Sequence, residues 1–270
     1  VPALVDAGYD ACTTASNHTF DQGADGVDTT LDTLDQAGLA HAGSARTEQE
    51  AERATVISVD TPDGPVQVGL LSYTHGFNGI PYPDDEEWRS NLIDEDAILE
   101  EAAAAREDGA EVVIVALHWG DEYVQDPNED QLELAPKLLE SDDIDLLLGH
   151  HAHVVQPIEN VDGEWVVYGM GNLMANHGEP ETAKSEGLLT RFTFTEDLDD
   201  GTFGTTGAEY LPLYQSYTPP VEVLDVPGAL DSGETGTATE ARLERAHERT
   251  VDMVESRGGA DEGLTMIGGD

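Results

Sequence analysis

The sequence predicts an α/β protein with a core of two packed sheets flanked by helices. Three features carry that expectation. Apolar, β-branched runs at residues 111–117 and 144–149 each follow a segment of helical spacing, the order of βαβ units with buried, largely parallel strands. A hairpin precedes them, because the β-like runs 55–59 and 66–73 are joined by Thr61-Pro-Asp-Gly-Pro, whose Pro and Gly residues demand a turn. Later the pattern changes to consecutive strands at 164–169, 187–195 and 203–214, which suggests antiparallel pairing on a second sheet or a sheet edge.

Taken in order, residues 1–7 read as the tail of a helix that leads into a short strand at 9–15. A helix is expected over 26–37, with Val27, Leu31 and Leu34 at helical spacing and Gly38 as its stop. The stretch 74–90, with its Gly, Pro and aromatic residues, reads as a long loop. Helices over 94–107 and 128–140 feed the two apolar strands. Residues 219–239 are rich in Pro, Gly, Asp and Thr, and a charged helix over 238–256 leads to a Gly-rich end expected to fray. The expected organisation is one main domain over 1–217, a linker or surface loop over 218–237, and a carboxy-terminal helix and frayed tail over 238–270.

At 270 residues the chain can bury a substantial core, and its hydrophobic fraction is an ordinary 39%. Its charge is extreme: 57 Asp and Glu against 11 Lys and Arg give a formal charge of −46. A disordered acidic chain would lack apolar runs, and this one has them. Lys137 and Lys184 are the only lysines, and the acidic residues are spread along the sequence instead of gathered in a tail. That pattern reads as a surface adapted to molar salt, in a high-salt organism, since the Debye length shrinks to roughly 3 Å at about 1 M. The same charge disfavours nucleic acid as a partner. Cys12 is the single cysteine, so no intrachain disulfide can form. No apolar run approaches the roughly 18 residues of a membrane span, and no signal segment opens the sequence. The helical opening leads us to expect that the natural protein extends further upstream, where export or anchoring segments could lie.

Polar clusters stand just beyond three expected strands: Asn17-His18 after the first, His118 after the second, and His151 and His153 after the third. Ligands of open α/β sheets gather outside those carboxyl ends. Imidazoles and an amide oxygen suit Zn, Mn or Fe, and no activated serine or cysteine motif competes with that reading. In an extended segment His151 and His153 would point to one side and face one ion. Singly the signals are weaker: a lone His118 is more often a hydrogen-bonded histidine, and Asn17-His18 could simply cap a helix. Their shared position at strand ends favours a metal.

Four strings then carry a family resemblance. Ala15-Ser-Asn-His-Thr-Phe-Asp-Gln-Gly23, Leu117-His-Trp-Gly120, Gly149-His-His-Ala-His-Val-Val-Gln-Pro157 and Tyr168-Gly-Met-Gly-Asn-Leu173 resemble, in order, the Asn-Asn-His-x-x-Asp-x-Gly, His-Trp-Gly, Gly-His-His-Pro-His-Val-x-Gln and Gly-Asn-Phe signatures of one family. It is the capsule-synthesis (CapA, or poly-γ-glutamate synthesis) branch of the calcineurin-like metallophosphoesterase superfamily. The resemblance covers about residues 1–194, with Ser16, Ala152 and Leu173 as small departures. The family begins with a strand ending in a Gly-Asp motif, followed by an Asn-Leu-Glu motif, which supply further ligands; neither opens this sequence, so the amino-terminal part of the domain is expected to be missing.

The resemblance implies a metallophosphoesterase-like fold and one or two divalent ions, Mn, Fe or Zn. It implies Asn17, His118, His151 and His153 as ligands, His18 as the substrate-side acid with Asp21 orienting it, and His150 and Asn172 as second shell or site lining. His41 and His247 are read as solvated, while His75 and His177 stay open as loop residues that could border the cleft. The implied activity is metal-dependent phosphoester hydrolysis associated with capsule or poly-γ-glutamate synthesis. The alternative is a non-catalytic metal-binding accessory of polymer assembly or export. Implied partners are a phosphoester or anionic polymer and a membrane-associated assembly reached through an upstream segment, at the cell envelope or extracellular face.

Overall fold

The computed structural model describes residues 1–176, 182–199 and 201–268. The chain forms two compact units, one of Val1–Trp119 with Lys137–Leu147 and the other of Gly120–Pro136 with Leu148–Asp270.

In the first unit, α1 (Pro2–Asp6) precedes β1 (Ala11–Thr13), which is shorter than the 9–15 run expected. β1 pairs in parallel with β2 (Ala40–Ala42) across α2 (Gly23–Ala37). Val27, Leu31 and Leu34 do share one face of α2, buried with Phe20, Leu39 and Phe77. Gly38, at φ 75°, ends the helix in the left-handed conformation that costs glycine nothing. After α3 (Glu48–Ala51) comes the expected hairpin of β3 (Thr55–Thr61) and β4 (Gly64–Thr74), antiparallel down to the pair Thr61 and Gly64.

The crossover β4, α4 (Glu95–Glu107), β5 (Val112–Trp119) sets the position of His118. β5 runs parallel to β4 in a register that ends with Thr74 opposite His118. Both faces of β5 are largely buried, which is why its sequence is a continuous apolar run. Asp94 caps α4 by accepting from the Ala97 amide, and Ile98, Ala102 and Ala105 form its buried stripe. Asp145 fastens this unit internally, accepting from the Val113 amide at 2.5 Å and from Arg106 Nη2 at 2.6 Å. Burial pushes its carboxyl up, and those two donors oppose the shift. The strand order here is β3-β4-β5-β6, and both α5 (Glu129–Leu139) and β6 (Leu146–His151) continue from one unit into the other.

The second unit holds the order β6-β8-β7, in which β7 (Ile158–Val161) and β8 (Glu164–Val167) are an antiparallel hairpin. β7 was not anticipated. The other sheet centres on β10 (Phe203–Gln215), antiparallel to β9 (Glu186–Glu196) along almost its whole length. Trp165 of β8 meets Phe192 of β9 with ring centroids 6.3 Å apart, so the two sheets of this unit face one another.

Two expectations for the carboxy-terminal third need correction. The segment 218–237 is not a bare loop: it contains β11 (Val223–Asp225), antiparallel to β10, and α6 (Val226–Ser232). Its Pro and Gly, read as breakers, serve as a helix start and stop. Pro227 lies in the first turn, where no amide donor is needed, Asp225 accepts from the Gly228 amide, and Gly233 at φ 74° closes the helix. Val226 and Ala229 pack with Tyr214 and with Leu243 and Ala246 of α7 (Glu240–Val254). Nor does the tail fray up to residue 268, since β12 (Leu264–Met266) pairs in parallel with β10. His41 is not solvated either: 11% of its side chain is exposed, and Nε2 lies 3.2 Å from Asp35 Oδ1. His247 on α7 is half-buried.

Candidate functional site

The expected site residues form two clusters, one in each unit. In the first, the loop after β1 is built from hydroxyls. Thr19 Oγ1 donates to the carbonyls of Thr14 and Ser16, and Ser16 Oγ accepts from the His18 amide. That turn buries Asn17 and leaves His18 exposed. Asn17 donates through Nδ2 to Asn78 Oδ1 at 3.2 Å, which directs Oδ1 at His118 Nε2, 3.0 Å away. Two atoms bound to one ion at roughly 2.0–2.2 Å stand about 3 Å apart, so this pair already has the spacing of two ligands.

His75, left open by the sequence, lies beside this pair. Its amide and its Nδ1 each contact the His118 carbonyl at 3.0 Å, and the two rings are parallel with centroids 6.2 Å apart. His18 Nδ1 meets Asp21 Oδ2 at 2.7 Å, so the carboxylate orients the ring and leaves Nε2 for other partners. His18 also lines a cavity of about 380 Å³ together with Cys12, Ser16, Thr19 and Leu31. Burial pushes the Cys12 thiol up, away from the thiolate form.

The second cluster reaches its geometry differently from the expectation. His151 ends β6 at φ 90° and His153 follows at φ 57°, so the segment is a turn of left-handed residues, not an extended strand. The rings still converge, with centroids 6.3 Å apart. Non-glycine residues held at such φ cost about 1–3 kcal/mol each and persist where surroundings enforce them. The turn's own carbonyls are held by the Tyr123 amide, which donates to Ala152, and by Asn172 Nδ2, which donates to His153, and a buried amide network lies in the same unit. Gln156 donates to the Val124 carbonyl at 3.0 Å and accepts from Gln131 Nε2 at 2.9 Å, and Gln131 also reaches the Tyr168 carbonyl at 3.2 Å. Gln156 stood in one of the recognised strings without a role, and Gln131 carried no signal at all.

Asn172 fixes the orientation of His153. Its Nδ2 donates to the carbonyls of His153 and Lys184 at 3.0 and 2.9 Å, so Oδ1 is the atom that faces His153 Nδ1 at 2.9 Å. His153 therefore carries its proton on Nδ1 and presents the Nε2 lone pair, the form a metal ligand needs. Close backbone contact seats Asn172. Gly171 has φ 68°, and a Cβ there would lie 2.5 Å from the Glu186 carbonyl, while one on Gly187 would lie 2.4 Å from the carbonyl of Asn172 itself. His150 lies in β6 next to His151, where burial pushes its pKa down and favours the neutral ring. His177 lies outside the described residues.

The donors suit a borderline divalent ion such as Mn, Fe or Zn in kind, and they do so as incomplete sets. Among the described residues no group of three or more His, Cys, Asp or Glu side chains is gathered to hold a metal. Each unit by itself offers a pair, Asn17 with His118 or His151 with His153, where a closed site takes about four ligands.

The model of the family described as "Bacterial capsule synthesis protein PGA_cap" matches residues 1–177. The chain is 27% identical over 188 residues to the capsule biosynthesis protein CapA of Bacillus anthracis, covering 68% of this chain and 44% of that protein. It is 29% identical over 185 residues to the PGA biosynthesis protein CapA of Bacillus subtilis, covering 68% and 47%. A probable polyglutamine synthesis accessory protein of Mycobacterium tuberculosis is 28% identical over 212 residues, covering 73% and 54%. The chain thus spans about half the length of the curated relatives it matches. Among solved structures, a calcineurin-like phosphoesterase, YfkN from Bacillus subtilis, superposes with a TM-score of 0.50 at 16% identity, covering 92% of this chain and 72% of that one. A putative 5'-nucleotidase from Staphylococcus aureus gives 0.51 at 18%, covering 93% and 44%. These likenesses show a calcineurin-like phosphoesterase fold.

Proposed function

The chain belongs to the bacterial capsule synthesis protein family PGA_cap, and from that premise we propose that it is a metal-dependent hydrolase of phosphoester bonds acting in capsule or poly-γ-glutamate synthesis. The observation that carries this reading is the amide that sets each cluster: Asn17 Oδ1 paired with His118 Nε2, and Asn172 holding His153 with its Nε2 lone pair outward. A ligating histidine commonly gives its second ring N–H to an oxygen acceptor, as His153 Nδ1 does to Asn172, while Asn17 Oδ1 and His118 Nε2 stand at the spacing of two ligands.

In this proposal Asn17 and His118 are metal ligands in one unit and His151 and His153 in the other, and a bound divalent ion would supply a water of pKa about 7 and a positive charge for the phosphoryl oxygens. His18 is the acid. Asp21 keeps the Nδ1 proton of its ring, so a proton on Nε2 can pass to the leaving oxygen. Burial pushes the pKa of His150 down, which favours the neutral ring beside the proposed ligands. The substrate class is a phosphoester or a phosphorylated anionic polymer, and work on a capsule polymer belongs at the cell envelope. No described helix is long and apolar enough to cross a membrane.

A second reading has its own support. Among the described residues no group of three or more His, Cys, Asp or Glu side chains is gathered, and a relative's name describes an accessory protein, so the chain could bind metal and polymer without turnover. Hydrolysis of a generic aryl phosphate by purified protein, before and after chelation and with Mn, Fe or Zn restored, separates the two. Turnover that vanishes with chelator and returns with metal supports the hydrolase. Metal and polymer binding with no turnover supports the accessory.

A further inference from the structure

In a chain of charge −46, cations are scarce and mostly neutralised. Arg46, Arg89, Arg106, Lys137, Arg191, Arg249 and Arg257 all pair with carboxylates. Lys184 is in none of the ion pairs among the described residues. Its ammonium instead stands 4.0 Å from the centroid of the Tyr123 ring, on the π face that attracts a cation without cancelling its charge.

The same ring stacks on His153, with centroids 5.9 Å apart and planes 22° from parallel. Tyr123 is itself fixed to the histidine turn, since its amide donates to the Ala152 carbonyl at 2.7 Å from a backbone held at φ 67°. The other end of the arrangement closes through Asn172, whose Nδ2 serves both the His153 and Lys184 carbonyls. Every group that orients His153 therefore also places Lys184. A half-buried lysine held on an aromatic ring that itself stacks on His153, in a chain whose charge would otherwise repel anions, is suited to binding an anion.

We propose that Lys184, positioned by Tyr123, is the substrate-binding residue that recognises an oxyanion, a phosphate group or a carboxylate, at the His151–His153 turn. The inference rests on the hydrolase reading only for preferring phosphate over carboxylate. Lys184 supplies a positive charge one ring away from His153, and the π face of Tyr123 holds its ammonium without neutralising it.

Having only two lysines makes the test direct. The folded protein is reductively methylated at low chloride, alone and with inorganic phosphate, and the rates at Lys184 and Lys137 are read by peptide mass spectrometry. Phosphate should slow methylation of Lys184 by roughly tenfold at about ten times its dissociation constant and leave Lys137 unchanged. A parallel arm with glutarate distinguishes phosphate from carboxylate as the preferred oxyanion. Lys184→Met should abolish phosphate binding measured by calorimetry, and Lys184→Arg should restore part of it, with the melting temperature of both unchanged. Equal slowing at both lysines, slowing reproduced by chloride at matched ionic strength, or phosphate binding retained by Lys184→Met would each overturn the proposal. Protection of Lys184 in a protein without aryl phosphatase activity supports this site and removes the hydrolase reading. Turnover with Lys184 unprotected removes this site alone.

Discussion

The two histidine clusters are held by opposite means. His118 sits near the end of β5, where the parallel register with β4 alone determines where its side chain emerges. His151 and His153 sit on left-handed backbone that strand geometry does not supply, and its carbonyls are held by Asn172 and by the Tyr123 amide. The amides also differ in use. Asn17 places its own oxygen at the donor position, whereas Asn172 spends its oxygen on Nδ1 of His153 and so acts through the ring. The first cluster is thus inherited from the fold, and the second is built by side chains.

That contrast yields unequal expectations. The largest effect concerns His18, which lies in the first unit and touches no amide of either cluster. His18→Ala should lower kcat on an aryl phosphate by about 10²- to 10⁴-fold while metal content stays near normal. Unchanged turnover would take His18 out of the chemistry and leave the ligand assignment standing.

Next comes the support of the inherited cluster. Asp145→Ala removes the acceptor of the Val113 amide and strands Arg106 in a half-buried position, so it should destabilise the protein by about 3 kcal/mol in urea unfolding. A loss below about 0.5 kcal/mol would mean that β5 is fixed by its apolar packing alone.

The built cluster should respond in metal affinity before stability. Asn172→Ala frees the His153 tautomer and should weaken metal binding by about 10- to 100-fold, as lost supporting partners of ligating histidines do. Asn17→Ala removes a donor and should weaken it further. If Asn172→Ala proved the more severe of the two, the roles of the two amides would have to be exchanged.

The smallest effect is collective. With 57 acidic against 11 basic residues, screening should raise the melting temperature steadily from dilute buffer to molar KCl. A steady fall over that range would remove salt adaptation as the reason for the composition.

Much of the fold was legible because it rests on local patterns. The helical spacing of Val27, Leu31 and Leu34, the turn at Thr61-Pro-Asp-Gly-Pro and the run at 111–117 each report burial or a turn directly. What escaped was decided by partners far along the chain. β12 is three residues long and exists because β10 offers an edge, and α6 hides in a Pro and Gly stretch whose breakers act as caps. The same division holds at the site. Asn17, His118, His151, His153 and Asn172 stood in strings, but His75, Tyr123, Gln131 and Lys184 acquire meaning only from contacts across tens of residues. The turn at His151 and His153 was read as extended because residue alternation says nothing of φ, and no glycine marks the left-handed positions.

The central claim is that the two histidines on the enforced turn are metal ligands. The direct measurement is metal content per chain by elemental analysis, on protein expressed from its natural gene and on the His151→Ala, His153→Ala double variant, with folding checked by circular dichroism. The account predicts that the parent holds Mn, Fe or Zn in stoichiometric amount and that the folded double variant holds almost none. A double variant that keeps its full complement of metal would contradict it.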